Sequence, residues 1–266
     1  MQSLIAIVAS AISPLFLEVA PEVRTTYVSL GKIVEDRPMQ VTSVRGGVDA
    51  GDFGRFGVRN WDVSSLTDRR HDAHRRAFYH SEIGPTWQYD FDIADDWRIK
   101  NDLTRSWTFY RRFDNPRSNR TYHWWQLVQS LENPYVVPFY RLRRTFRGTD
   151  YIYFRAGFRR RFPVWEGLSI TPWVFVEGGN SRSWRRTLGP RADGEPWGAG
   201  GPNSISARLE AAWSFGEVCG CKTSAFVFVE QYGLLGGDAR RANGASGYRC
   251  AHDDWTLGGV GLRLNF

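Results

Sequence analysis

Apolar and polar positions alternate along most of this chain with a period of two. From Tyr79, the positions Tyr79, Ile83, Pro85, Trp87, Tyr89 and Phe91 face one way, and His80, Glu82, Thr86, Gln88, Asp90 and Asp92 the other. The stretch from Tyr151 sets Ile152, Phe154, Ala156, Phe158 and Phe162 against Tyr153, Arg155, Arg159 and Arg161. Leu168, Ile170, Val174 and Val176 alternate with Ser169, Thr171, Trp173, Phe175 and Glu177; Ile205, Ala207, Leu209, Ala211 and Trp213 alternate with Ser206, Arg208, Glu210 and Ser214. Successive strand residues point to opposite faces, so each stretch has one apolar and one polar surface. The pattern predicts twelve strands over residues 23–33, 39–49, 55–64, 78–91, 97–112, 120–131, 137–147, 150–162, 168–178, 204–215, 223–235 and 255–266. An even count returns both chain ends to one side.

A soluble sandwich would alternate in the same way, but the connections here also alternate in length. Short ones fall near 49–55, 92–96, 132–136, 163–167 and 217–222, and longer ones near 64–77, 113–119, 179–203 and 236–253. Short turns on one side and long loops on the other are the habit of transmembrane barrels. Trp87, Tyr89, Trp97, Trp107, Trp213 and Trp255 lie toward strand ends, where interfacial girdles form. The expected fold is all-β: an up-and-down antiparallel transmembrane barrel of about twelve strands. One strand resists the pattern. In 97–112 the outward set Trp97, Ile99, Leu103, Trp107 and Phe109 also includes Asn101 and Arg105. A bulge, a subunit interface or a lipid headgroup would each account for Arg105.

Composition agrees with strands. Aromatic residues make up 15% of the chain and glycines number 27, while the mean hydropathy of −0.43 suits strands with one polar face. There is no run of eighteen apolar residues, which excludes a helical membrane protein. Residues 1–16 read as the apolar core of a secretory signal peptide, with small residues at Ala9 and Ala11, or as a short anchor. They lack a basic leader, and a first buried strand is the alternative. The barrel domain is assigned to 17–266.

The last stretch reads Thr256-Leu257-Gly258-Gly259-Val260-Gly261-Leu262-Arg263-Leu264-Asn265-Phe266. Val260, Leu262, Leu264 and Phe266 share one face, and Gly261, Arg263 and Asn265 the other. This resembles the C-terminal strand of bacterial outer-membrane β-barrel proteins, which ends in an aromatic residue. The resemblance implies the outer membrane of a Gram-negative cell, and recognition of this strand by the barrel assembly machinery. No motif places the chain among the nucleoside channels, sugar-acid porins, phospholipases or lipid A deacylases that share the twelve-strand plan.

The net charge is +7, carried mostly by arginine, and no nucleic-acid motif accompanies it. Alternation turns Arg141, Arg143, Arg147, Arg155, Arg159 and Arg161 into the lumen, together with Arg98, Lys100, Arg112, Arg208 and Arg263. Inward carboxylates are Glu82, Asp90, Asp92, Asp102, Glu177, Glu210 and Glu230. Ionised groups cannot face lipid, where a midplane arginine costs roughly 2–4 kcal/mol, so they need water or one another. The expected function is a narrow channel with an arginine-lined lumen that passes small anionic or zwitterionic solutes, bound in passage by these arginines with Glu177, Glu210 and Glu230. Two other readings compete: an occluded structural or adhesive barrel, and a lipid hydrolase active at the rim. The second needs an oriented Ser–His pair, and the adjacent His80 and Ser81 face opposite ways. Inward Trp173, Phe175, Phe226, Phe228 and Tyr232 read as packing.

No cofactor or metal site is expected. His71 and His74 belong to a basic loop that reads as solvated, and Arg182, Arg185, Arg186, Arg240 and Arg241 in later loops suit lipopolysaccharide phosphates. Cys219 and Cys221 fall in a short turn and Cys250 in a long loop at the opposite end, beyond disulfide reach.

Overall fold

In a computed structural model the described residues are 15–29, 32–35, 38–66, 78–112, 120–146, 150–188, 200–235, 240 and 254–266. They form twelve antiparallel strands: β1 Leu15–Arg24, β2 Met39–Asp49, β3 Arg55–Ser65, β4 Phe78–Ala94, β5 Trp97–Arg112, β6 Arg120–Glu132, β7 Val137–Phe146, β8 from Ile152, β9 Leu168–Gly179, β10 Gly201–Val218, β11 Cys221–Leu234 and β12 Asp254–Asn265. Strand β8 comprises Ile152–Arg159 and Phe162–Trp165, both paired with β9 across a break at Arg160 and Arg161. Each strand pairs with its sequence neighbours, and β1 pairs with β12 through Val19 opposite Leu264 and Val23 opposite Val260. The sheet is therefore closed, and its wall has no free edge.

Eleven of the expected spans coincide with observed strands to within a few residues, but the first does not. The expected strand 23–33 is replaced by β1 at Leu15–Arg24, and Tyr27–Ser29 and Lys32–Glu35 make a separate small hairpin. Leu15 and Phe16, which read as the end of an apolar leader, belong to that strand. Closure requires it, because only a strand at this position meets the C-terminal strand: Phe266 and Leu17 exchange backbone hydrogen bonds of 2.8 and 3.3 Å. The β1–β12 ladder skips Pro21, which has no N–H to donate.

Turn chemistry sorts the two ends of the barrel. At one end lie the start of β1, the end of β12 and the tight turns. There Val218 pairs with Cys221 across Cys219 and Gly220, whose φ values of 52° and 77° suit a two-residue hairpin. The long connections lie at the other end, with helix α1, Ser181–Leu188, following β9. His71, His74, Arg147, Arg241 and Cys250 lie outside the described residues, as do the side chains of Arg112, Arg185 and Arg186.

The exterior is apolar. Val58, Phe158, Val174, Leu209, Val227 and Val260 are about half exposed or more, all on outward positions. In water so continuous an apolar belt would be untenable. In lipid each such side chain regains the roughly 1.5–3 kcal/mol that burying a Val, Leu or Phe is worth. The interior wall follows another rule, in which large rings lie over glycines on the next strand. Phe228 and Phe226 cover Gly259 and Gly261 of β12, where an added Cβ would come within 2.5 and 2.7 Å of the rings. Phe175 stands directly opposite Gly157 on the next strand, and the Phe16 ring of β1 reaches Gly57 of β3. The inward glycines of the last strand thus make room for aromatic packing.

Candidate functional site

The interior arginines are built on those rings. Arg208 stacks 3.6 Å from the Phe228 centroid, Arg263 4.2 Å from Phe226, Arg155 4.3 Å from Phe175 and Arg55 3.7 Å from Phe16. A carboxylate then ties each guanidinium down. Arg208 and Arg263 each reach Glu210 at 2.7 Å, Arg55 reaches Glu18 at 2.9 Å, and Arg155 is paired with Glu177, which also accepts from Tyr153 at 2.5 Å. Glycine, ring, guanidinium and carboxylate form one repeated layered unit. Cation–π contact and a charge-assisted hydrogen bond hold the arginine from two sides, and the planar guanidinium allows both at once.

Other pairs span the lumen as chords. Arg45 on β2 pairs with Asp102 on β5, and Arg143 on β7 meets Glu82 on β4 at 3.2 Å. Each skips two intervening strands, so neither is a contact along the wall. Glu82 also meets His80 at 3.1 Å, and Arg143 lies 3.9 Å over Trp124 and donates to Gln126 at 3.0 Å. Nearer the tight turns, Arg159 pairs with Glu132 at 2.5 Å and Arg98 with Asp92 at 2.6 Å.

Arg59 and Arg141 differ. Both project inward, and among the described residues no carboxylate lies within ion-pair distance of either. Arg141 Nε is buried and has no hydrogen-bond partner. Together they line a cavity of about 330 Å³, whose wall also includes Arg45, Arg263, Glu18, Asp102 and Gln126. Four guanidinium groups face two carboxylates there, and the carboxylates are already engaged by Arg45 and Arg55. The surplus is cationic, and it sits in a polar interior enclosed by a low-dielectric wall that strengthens its field.

The residues singled out from sequence divide accordingly. Arg143, Arg155, Arg159, Glu177 and Glu210 enter ion pairs, and Glu230 stands 3.9 Å from Arg208. Arg141 enters the cavity, and Arg161 is exposed at the break in β8. Trp173, Phe175, Phe226, Phe228 and Tyr232 point inward, and Trp173 lies 5.0 Å beneath Arg159. His80 bonds Glu82 inside while Ser81 meets Asn60 at 3.4 Å on the opposite face, so the two are not a catalytic pair.

Sequence reasoning missed Glu18, Arg45, Arg55 and Arg59, all on the first three strands. Their inward faces are partly apolar: Met39, Val41 and Val63 form a buried cluster inside the lumen with Trp61 packed on it. Hydropathy alone therefore does not separate inside from outside there. The usable signal was the closing partner of β12. Once β1 must pair with it, Glu18 falls opposite Asn265 and Arg45.

No protein-family model and no curated protein matches the chain. Among solved structures it is similar to LpxR from Salmonella typhimurium, at 9% identity and a TM-score of 0.46 over 93% of this chain and 99% of that one. It is also similar to OprD of Pseudomonas aeruginosa, at 8% identity and a TM-score of 0.38 over 96% and 94% of the two chains. OccAB3 of Acinetobacter baumannii gives 8% identity and a TM-score of 0.38 over 95% and 98%. The barrel assignment rests on this chain's own closed strand order and its inside-out polarity.

Proposed function

We propose that this protein is a narrow channel of the bacterial outer membrane, whose arginine-lined lumen passes small anionic or zwitterionic solutes. The observation that carries the reading is the lumenal cavity with Arg59 and Arg141 held inside it without carboxylate partners. A buried guanidinium without a counter-ion is costly, and an entering carboxylate or phosphate supplies the missing charge. Arg45 and Arg263, already tied to Asp102 and Glu210, flank the path and keep it positive without collapsing onto the solute. The alternating face of β12 with its aromatic Phe266 suits recognition by the outer-membrane assembly machinery, and the apolar segment 1–16 suits an export leader or anchor whose last two residues enter β1. On this reading the exposed arginines Arg182 and Arg240, at the long-loop end, contact lipopolysaccharide.

Reversal potential in a planar bilayer under a salt gradient tests the reading. The wild type passes anions in preference to cations, and Arg59→Gln with Arg141→Gln moves the reversal potential toward cation selectivity. A wild type with no current, or a double variant with unchanged selectivity, refutes it.

A second reading has an observation of its own. The chords Arg45–Asp102 and Arg143–Glu82 cross the interior and suit an occluded barrel that only braces the membrane. That reading predicts silence in the same bilayer.

A further inference from the structure

Among the described residues, Arg105 is an outward charge that the lumen does not explain. Arg105 on β5 points outward, is exposed, and among the described residues has no carboxylate within ion-pair distance. Its guanidinium lies near two tryptophans, 5.3 Å from the Trp107 centroid and 5.5 Å from that of Trp125. Its neighbours Asn101, Gln129 and Arg144 have polar partners. Asn101 donates to the Tyr89 carbonyl at 2.9 Å and accepts from Gln129 at 2.6 Å, and Arg144 meets Asp150 at 3.2 Å. Arg105, Trp125 and Arg144 stand in one register row across β5, β6 and β7, with Trp107, His123 and Phe146 in the next row but one.

Height along the barrel decides what meets this row. Eight residues separate Arg105 from Trp97 at the tight-turn end. At about 3.4 Å per residue and a tilt near 40°, that places it roughly 20 Å up a belt about 25 Å tall. The guanidinium thus lies at the headgroup boundary of the long-loop leaflet, braced by indole rings. Ring faces stabilise its charge but accept none of its five N–H donors.

We infer that Arg105, fixed by Trp107 and Trp125, holds a phosphate of a phosphorylated glycolipid of the lipid A kind against the barrel wall. A phosphomonoester carries about −1.5 to −2 charges and presents oxygens that match a guanidinium fork. Arg144 on the same row is already held by Asp150, so Arg105 supplies the open charge, and the second negative charge of a phosphomonoester favours it over the single charge of a phosphodiester. The inference rests on the outer-membrane reading for the supply of this lipid, but not on channel activity.

The test uses the whole protein refolded into phosphatidylcholine vesicles with and without lipid A, and reads the temperature at which the compact barrel is lost on unboiled gels. Native mass spectrometry reports lipid A binding directly. Lipid A is expected to raise the transition of the wild type, and phosphatidylglycerol at the same mole fraction to raise it less. Arg105→Leu is expected to be as stable as the wild type in phosphatidylcholine alone, since leucine suits a lipid-facing position. It should lose the lipid A increment and bind lipid A roughly tenfold or more weakly, with Arg105→Lys between the two. Equal stabilisation of wild type and Arg105→Leu by lipid A overturns the inference and leaves the membrane reading intact. So does equal stabilisation by phosphatidylglycerol, or a wild-type dimer that Arg105→Leu abolishes without lipid A. Failure of the wild type to insert into either vesicle overturns both.

Discussion

At the residue scale, the interior is organised by a few cheap devices used repeatedly. A glycine on one strand lets a phenylalanine on the next lie flat, and the exposed ring face then receives an arginine. The chain Gly259, Phe228, Arg208, Glu210 is one instance, and Gly261, Phe226, Arg263, Glu210 another that ends on the same carboxylate. A methyl group at the base should therefore disturb every layer above. At Gly259 the added Cβ would also lie 2.8 Å from the Val23 carbonyl, so ring rotation alone cannot accommodate it. Gly259→Ala is expected to destabilise the barrel by about 1–3 kcal/mol, the usual effect of overpacking. Urea unfolding in vesicles, followed by tryptophan fluorescence, measures it. No change would mean that the rings are not seated as described.

At the element scale, each strand is a two-sided object, and its two sides answer to different solvents. Val227 on β11 faces outward, pairs with Val260 and is 55% exposed. On a water-soluble protein an arginine at such a site would change stability by no more than about 0.5 kcal/mol. On a lipid-facing wall Val227→Arg is expected to cost about 2–4 kcal/mol near the midplane, while Val227→Leu is neutral. Equilibrium unfolding of both variants in vesicles distinguishes the two environments.

This two-sidedness is also why most strands could be read from sequence. From β4 onward the outward faces are mostly apolar or aromatic, with Arg105 and Asn101 on β5 and Arg144 on β7 among the exceptions, so alternation gives both span and orientation. The first strands gave no such contrast. Buried Met39, Val41 and Val63 place apolar side chains inside the lumen, and Asn60 and Asp62 take outward positions bonded to Ser81 and Tyr79. Inside and outside look alike in hydropathy there, and the first strand was accordingly expected too late in the chain.

At the scale of the whole molecule, closure brings distant charges together and, on the proposed channel reading, sets the width of the path. Asp102 and Arg45 are 57 residues apart in sequence, and Arg143 and Glu82 are 61 apart, yet each pair bridges the interior. If the Arg45–Asp102 chord is a constriction, removing both partners widens the path without altering net charge. Single-channel conductance of the Arg45→Ala, Asp102→Ala double variant is expected to rise while anion preference persists, because Arg59 and Arg141 remain. Unchanged conductance would place the narrowest point elsewhere.

The sequence by itself determined the all-β class, the position of eleven strands, the sorting of tight turns from long loops, and the inward aim of Arg141, Arg143, Arg155 and Arg159. Those properties are local, since a period of two and a two-residue turn are written within a dozen neighbouring residues. Tertiary structure alone decided the first strand, the chords across the lumen, and which arginines lack a carboxylate. Charge pairing in a barrel depends on which strands face each other once the sheet closes, and the register that fixes this is a property of the whole ring.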